Sequence, residues 1–290
     1  MNTRIIMTDS QSPHNASLAH QLREELYLDI DEYGLDAPVD GEFTTRFLGI
    51  KLSSVFQPLY EIASGEVYGH EALLRPLLAS RQSVDPEFAF SFADQSGRLV
   101  KFDRICRTLH LLNYSRIAEQ QGLLFLNVHP KLLLSVNAHG EVFERILHAN
   151  SVSADRVVIE INESVITQSE LLQTAVENYR GRNYRIAVDH FGHDQSSLNR
   201  LWKLAPDFVK LDRQLIQAAE HNARLRQALR HLLQFIRGLG AEPVVEGIEN
   251  QTQFDIALEA GGKLLQGYFL GQPISARALR SAAIAVTSKD

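Results

Sequence analysis

The chain has a single cysteine, Cys106, in 290 residues. An intrachain disulfide is therefore impossible, which suits a reducing compartment, and a chain of this length buries a full core without covalent staples. Long apolar runs are also missing. None approaches the ~20 residues that span a bilayer, and the polar start from Met1 to Leu18 lacks the apolar stretch of a secretion signal. The expectation is a cytoplasmic protein with no membrane partner. Positive charge is scarce as well: 29 Lys and Arg face 35 Asp and Glu, for a net charge of -6 and a pI near 6.0. That argues against broad binding to duplex nucleic acid and leaves room for a small anionic ligand in a locally positive pocket. Neither G-x-G-x-x-G nor G-x-x-x-x-G-K-[ST] occurs, so the Rossmann and P-loop fingerprints are absent.

What is present is an alternation of short apolar strands and amphipathic helices. Residues 1–45 read as an appendage, with one short helix from Leu18 to Leu28, an acidic stretch and a loop. From residue 46 to 290 the chain reads as one domain. Leu52 to Glu61 and Glu66 to Leu74 form two strands joined at Ser64-Gly65, a hairpin signal. Further strands are expected at Leu123–Val128, Val157–Ile161, Arg185–Asp189, Phe208–Leu211, Pro243–Glu246 and Leu264–Gln266. Helical spacing of apolar residues places helices between them, around Phe102–Leu112, Leu171–Tyr179, Ser196–Leu204, Leu225–Ile236 and Gln251–Glu259. About eight strands over ~240 residues fit an α/β fold of the (β/α)8, TIM-like barrel type; a doubly wound open sheet is the alternative.

The polar residues fall at informative places. Glu71, Asn127, Glu160, Asp189, Lys210, Glu246 and Gln266 each sit in or just after an apolar strand, toward its C-terminal end. In a β/α barrel those ends converge on the face that carries active sites. Four converging carboxylates repel one another unless cations neutralise them. All-oxygen donors, with an Asn carbonyl among them, suit Mg²⁺ or Mn²⁺. Lys210 adds a charge suited to orienting a nucleophile or stabilising developing negative charge. A phosphodiester, two metal ions and an activated water make the matching chemistry. The competing reading is a buried salt-bridge network around Lys210.

The motifs from about Val55 to Pro273 resemble the EAL domain, the cyclic di-GMP phosphodiesterase family. Glu71-Ala72-Leu73-Leu74-Arg75 matches its signature, Phe56-Gln57-Pro58 its Q-P strand, and Asn127-Val128-His129-Pro130 its N-x-S/H-P strand. Glu160-Ile161-Asn162-Glu163-Ser164 is similar to E-I-T-E-S, Lys210-Leu211-Asp212-Arg213 to K-I-D-R, Glu246-Gly247-Ile248-Glu249 to E-G-V-E, and Gln266-Gly267-Tyr268 to Q-G-Y. The resemblance implies a barrel with one antiparallel strand near its start, a homodimer, and hydrolysis of cyclic di-GMP to linear pGpG with two ions of Mg²⁺ or Mn²⁺. Carried over by position, Glu71, Asn127, Glu160 and Asp189 would hold the first metal, with Asp189 bridging to the second. Lys210 would contact the attacking water, and Glu246 would assist the water or the metal shell. Gln57, Leu73, Arg75 and Gln266 would meet the nucleotide, with Arg75 on a phosphate rather than paired to Glu71. Glu163 and Glu249 would brace the loop after Asp189. No fused sensor, GGDEF-like or response-regulator segment is seen.

The sequence departs from the family at His190 and in the segment after it, where Gly192-His193-Asp194-Gln195 replaces the usual G-T-G-Y/F. Val188-Asp189-His190-Phe191-Gly192 stands where the family has D-D-F-G, so His190 replaces an aspartate that ligates the second metal. Three readings follow. His190 is itself a ligand and shifts the metal preference; or Asp194 substitutes for the missing carboxylate; or the second metal is lost, and the domain acts as a cyclic di-GMP receptor or a protein-binding regulator of motility, biofilm or virulence genes.

Overall fold

The computed structural model describes residues 42–115, 117, 122–135, 141–162, 166, 168–193 and 196–287. Most of the expected appendage, including Leu18 to Leu28, lies outside these residues, as do Glu163 and Asp194. Among the described residues, no helix is long and apolar enough to cross a membrane.

The strands form one nine-stranded sheet in sequence order. They are β1 (Thr45–Phe47), β2 (Ile50–Glu61), β3 (Val67–Leu77), β4 (Leu123–Asn127), β5 (Val157–Ile161), β6 (Arg185–Phe191), β7 (Phe208–Leu211), β8 (Glu242–Val245) and β9 (Leu264–Leu265). β2 also pairs with β9, which closes β2–β9 into an eight-stranded barrel and leaves β1 outside. β2 is antiparallel to both neighbours, and every later pair is parallel. The expected single antiparallel strand is therefore β2. β1 joins it through Leu48-Gly49, both with positive φ, as a two-residue hairpin loop requires.

The helices are α1 (Pro86–Gln95), α2 (Leu99–Tyr114), α3 (Pro130–Ser135), α4 (Glu141–Ala149), α5 (Ser169–Arg180), α6 (Leu198–Leu204), α7 (Arg213–His221), α8 (Ala223–Gly238), α9 (Gln251–Glu259) and α10 (Ala276–Thr287). α2 is buried on nearly every face, whereas α5 and α8 each turn one apolar stripe inward. On α5 the buried residues are Leu172, Ala175, Val176 and Tyr179, and on α8 they are Leu229, Leu233 and Ile236, both at helical spacing. Helix starts carry side-chain caps that tie up free N–H groups: Asp212 accepts from Gln214 N at 2.8 Å, and Asn250 from Gln253 N at 2.9 Å.

Two apolar cores result. The larger lies between barrel and helices, and a smaller one of Leu59, Leu123, Phe125, Val158, Ala187, Phe208, Val244 and Leu264 lies inside the barrel. Side chains alternate along a strand, so the residue two positions after an inward apolar one also points inward. On the parallel strands those residues are Asn127, Glu160, Asp189, Lys210, Glu246 and Gln266. The fold thus stacks a polar layer on an apolar plug at the C-terminal mouth of the barrel.

Candidate active site

Lys210 is the hub of that layer. Its side chain is 1% exposed, and Nζ lies 2.9 Å from Glu71, 2.5 Å from Glu160, 2.8 Å from Glu246 and 3.9 Å from Asp189. Asn127 donates from Nδ2 to Glu71 Oε1 at 3.1 Å and to Glu160 Oε2 at 2.9 Å. Gln266 donates to Glu71 Oε2 at 2.9 Å. The register places these partners side by side, with Gln57 opposite Glu71 on β2 and Asn127 opposite Glu160 on β5.

The electrostatics show a carboxylate excess. Burial alone pushes the Glu71 carboxyl up, but the Lys210 charge and hydrogen bonds from Lys210, Gln266 and Asn127 outweigh it and hold the group below its ordinary range. Glu160 goes the other way: burial, with the neighbouring Glu71 charge, raises it well above that range despite Lys210. Burial also raises Glu246, to about 8, with Asp189 and Glu71 adding to the rise and Lys210 opposing it. The Lys210 ammonium is held well above its usual range because the four carboxylates overcome its burial. One lysine does not neutralise four carboxylates in a dry site, so the cluster has the charge of a cation site. Glu160 Oε1 and Gln266 Oε1 are buried without a hydrogen bond of good geometry, although Glu160 Oε1 faces the Lys210 charge. An oxygen-only donor set, with four carboxylates on one lysine and the buried Gln266 Oε1 unpartnered, fits a divalent ion of the Mg²⁺, Mn²⁺ or Ca²⁺ kind.

Above the layer opens a cavity of about 410 Å³. Gln57, Glu71, Leu73, Asn127, Asp189, His190, Lys210, Glu246, Glu249 and Gln266 line it, so most of the residues expected at the site meet there. Glu160 lies beneath, in contact with Lys210 and Asn127. Arg75 is outside this lining: it is half-buried on β3 and donates from Nη1 to Leu74 O at 3.0 Å. Glu71 is paired with Lys210 and not with Arg75. Glu249 accompanies the cavity, its N–H donating to Gln253 Oε1 at 2.8 Å. His129, set back on the turn after β4, accepts from Lys131 N at 3.3 Å and stacks on Phe90.

Five lining residues beyond the expected set are Asp212, Arg213, Gly247, Gly267 and Tyr268. All five lie inside the K-L-D-R, E-G-I-E and Q-G-Y segments, immediately after a strand, and that placement was the available signal. Gly247 has φ +71, and a Cβ there would stand 2.3 Å from the Arg213 Cβ, so the loop after Glu246 can approach α7 only with glycine. Trp202 is 73% exposed on α6. Asp103 pairs within α2 with Arg107, both buried, away from the cavity lining.

The EAL domain profile matches residues 43–273. An uncharacterized EAL-domain containing protein, YkuI of Bacillus subtilis (strain 168), is 30% identical over 223 residues, which are 75% of this chain and 54% of that protein. The probable cyclic di-GMP phosphodiesterase PdeI of Escherichia coli (strain K12) is 27% identical over 230 residues, 77% of this chain and 29% of that protein. The chain spans about half or less of the length of these curated relatives. Among solved structures, Bacillus subtilis YkuI in complex with c-di-GMP and calcium has a TM-score of 0.65 at 26% identity, covering 82% of this chain and 62% of that one. Klebsiella pneumoniae BlrP1 with manganese and c-di-GMP has a TM-score of 0.68 at 23% identity, covering 78% and 56%, a likeness of fold.

Proposed function

This chain belongs to the EAL-domain family, and from that premise we propose that it hydrolyses cyclic di-GMP to linear 5'-pGpG, with divalent cations, in bacterial second-messenger signalling. The observation that carries the reading is the convergence of four carboxylates from four strands on Lys210 at the floor of an open cavity. A dinucleotide with two phosphodiesters is the class of anion named for the family's relatives, and this floor needs added positive charge to receive one.

In the proposed reaction a water attacks one phosphorus, the P–O3' bond breaks, and the leaving oxygen takes a proton to become a 3'-hydroxyl. Glu71, Asn127, Glu160 and Asp189 would hold the first cation. Cations there would supply Lewis acidity and lower the pKa of a bound water. Lys210, fixed by its carboxylate partners, would keep a positive charge beside the attacking water and the charged transition state. Glu246, 2.8 Å from Lys210, would assist the attacking water or the metal shell. Gln57, Leu73 and Gln266 would contact the nucleotide from the cavity wall. Arg75 would reach a phosphate from the outer end of β3, where a planar fork suits a phosphate. Glu163 and Glu249 would brace the loop after Asp189.

Chromatography of the product tests the reading: pGpG formation in Mn²⁺, abolished by Glu71→Ala, supports it. Tight nucleotide binding with no product under any divalent ion would favour the second reading, a cyclic di-GMP receptor that regulates a protein partner. The observation behind that alternative is His190, which stands where the family carries an aspartate. A homodimer is proposed through α6, where Leu198 is 56% exposed beside the exposed Trp202.

A further inference from the structure

We propose that His190 takes the place of the family's aspartate as a ligand of the second cation, beside Asp189 and Glu246, and makes that position selective for a transition metal such as Co²⁺ or Mn²⁺ over Mg²⁺, with Asp212 orienting the imidazole.

The backbone is built to present this histidine. Adjacent strand residues normally point to opposite faces, so His190 should face away from the cavity that Asp189 lines. The β6–β7 pairing instead shifts register between Val188 and Phe191, and His190 has φ 54, a left-handed conformation that is uncommon for a side-chain-bearing residue. The bulge brings both side chains to the cavity, His190 at its mouth with 51% of its side chain exposed. Strained backbone of this kind concentrates at functional sites.

The donor atoms are placed for an ion. One atom each from Asp189, His190 and Glu246 lie within 4.8 Å of one another. Donors ~2.1 Å from a tetrahedral ion stand about 3.4 Å apart, so modest closure completes the set. His190 Nε2 is 3.5 Å from Asp189 Oδ2, and Nδ1 is 3.5 Å from Asp212 Oδ2. Asp212 is itself buried and fixed: its other oxygen accepts from Gln214 N, and its own N–H donates to Phe191 O at 2.9 Å. A carboxylate on Nδ1 holds the tautomer that leaves Nε2 free to ligate, the arrangement that supports most metal-bound histidines.

The selectivity follows from the ligand. Imidazole is a good donor to Mn²⁺, Co²⁺ and Zn²⁺ and a poor one to Mg²⁺, and a neutral donor contributes less charge to a hard ion than a carboxylate does. The inference deepens the phosphodiesterase reading and rests on it only for the substrate beside the site.

The test is metal binding by the full chain after chelation. Calorimetric titration of wild type should give two Mn²⁺ sites and one Mg²⁺ site. His190→Asp should gain a second Mg²⁺ site, and His190→Ala should lose the second Mn²⁺ site. Asp212→Asn should weaken that site by roughly 10- to 100-fold while leaving the first unchanged. In the Co²⁺-loaded protein, proton NMR should show a paramagnetically shifted, exchangeable imidazole N–H that is absent in His190→Ala. Equal Mn²⁺ stoichiometry and affinity in wild type and His190→Ala, or no such resonance, would overturn the proposal. His190 is half exposed, so its variants fold on present packing, and thermal melts check this. Failure to form pGpG with normal metal stoichiometry would instead sink the phosphodiesterase reading alone.

Discussion

Two layers inside one barrel, two residues apart on the same strands, follow opposite rules. The lower is Phe125, Val158, Ala187, Phe208, Val244 and Leu264; the upper is Asn127, Glu160, Asp189, Lys210, Glu246 and Gln266. The lower layer is dry and apolar and gains stability from burial. The upper layer is equally buried at Glu160 and Lys210, at 1% exposure each, but a buried ion network contributes little net stability because desolvation offsets the attraction. The contrast separates what holds the barrel closed from what the barrel holds.

Removing the hub breaks the comparison most severely. Lys210→Ala should cut turnover by about 10³-fold or more and, in the metal-free protein, cost roughly 3–5 kcal/mol of stability by stranding buried carboxylates. Added Mn²⁺ should recover much of that stability in urea melts. Turnover within tenfold of wild type would mean the upper layer is only structural.

The lower layer should respond in stability alone. Phe125→Ala opens a cavity in the plug and should cost about 3–5 kcal/mol, with kcat at a permissive temperature close to wild type. A large fall in kcat in a still-folded variant would show that the layers are not separable.

A buried base away from the cavity sharpens the contrast with the clustered acids. His110 on α2 meets Ser54 Oγ at 2.8 Å, and burial, with the Arg75 charge adding, lowers its pKa to about 3. The unfolded chain takes up that proton near pH 6.5 and the folded chain does not, so stability is fully present above pH 6.5 and falls with acidification toward pH 3. Between pH 6.5 and 4.5 the loss from this group should be about 2.3 kcal/mol. His110→Gln should reduce the slope of the urea midpoint over that window, leaving the share of buried His70, whose pKa burial lowers to about 4; an unchanged slope would contradict the assignment.

The smallest effect is expected at Trp202. With its side chain largely in solvent, Trp202→Ala should change chain stability by no more than about 0.5 kcal/mol, while sedimentation should show weaker self-association. A large stability loss with unchanged association would contradict the proposed dimer face.

Much of this was legible in the sequence because both layers share one period. Val158-Ile159-Glu160, Ala187-Val188-Asp189, Phe208-Val209-Lys210 and Val244-Val245-Glu246 repeat apolar, apolar, charged at strand ends. The motifs then gave the family. The short elements were less legible. β1 is three residues long and depends on Leu48 adopting a positive φ, and α7 starts at Arg213 directly after a strand with no separating loop. The approach of His190 to the cavity was not derivable from alternation, since only the bulge turns two successive side chains to one face.

The most direct test is hydrolysis of cyclic di-GMP in water enriched in oxygen-18, with Mn²⁺ and enzyme in excess. The account predicts linear pGpG carrying one heavy oxygen, on its 5'-phosphate, and no product when the cation is chelated. Unchanged cyclic nucleotide in the presence of Mn²⁺, or a linear product without the label on that phosphate, would contradict it.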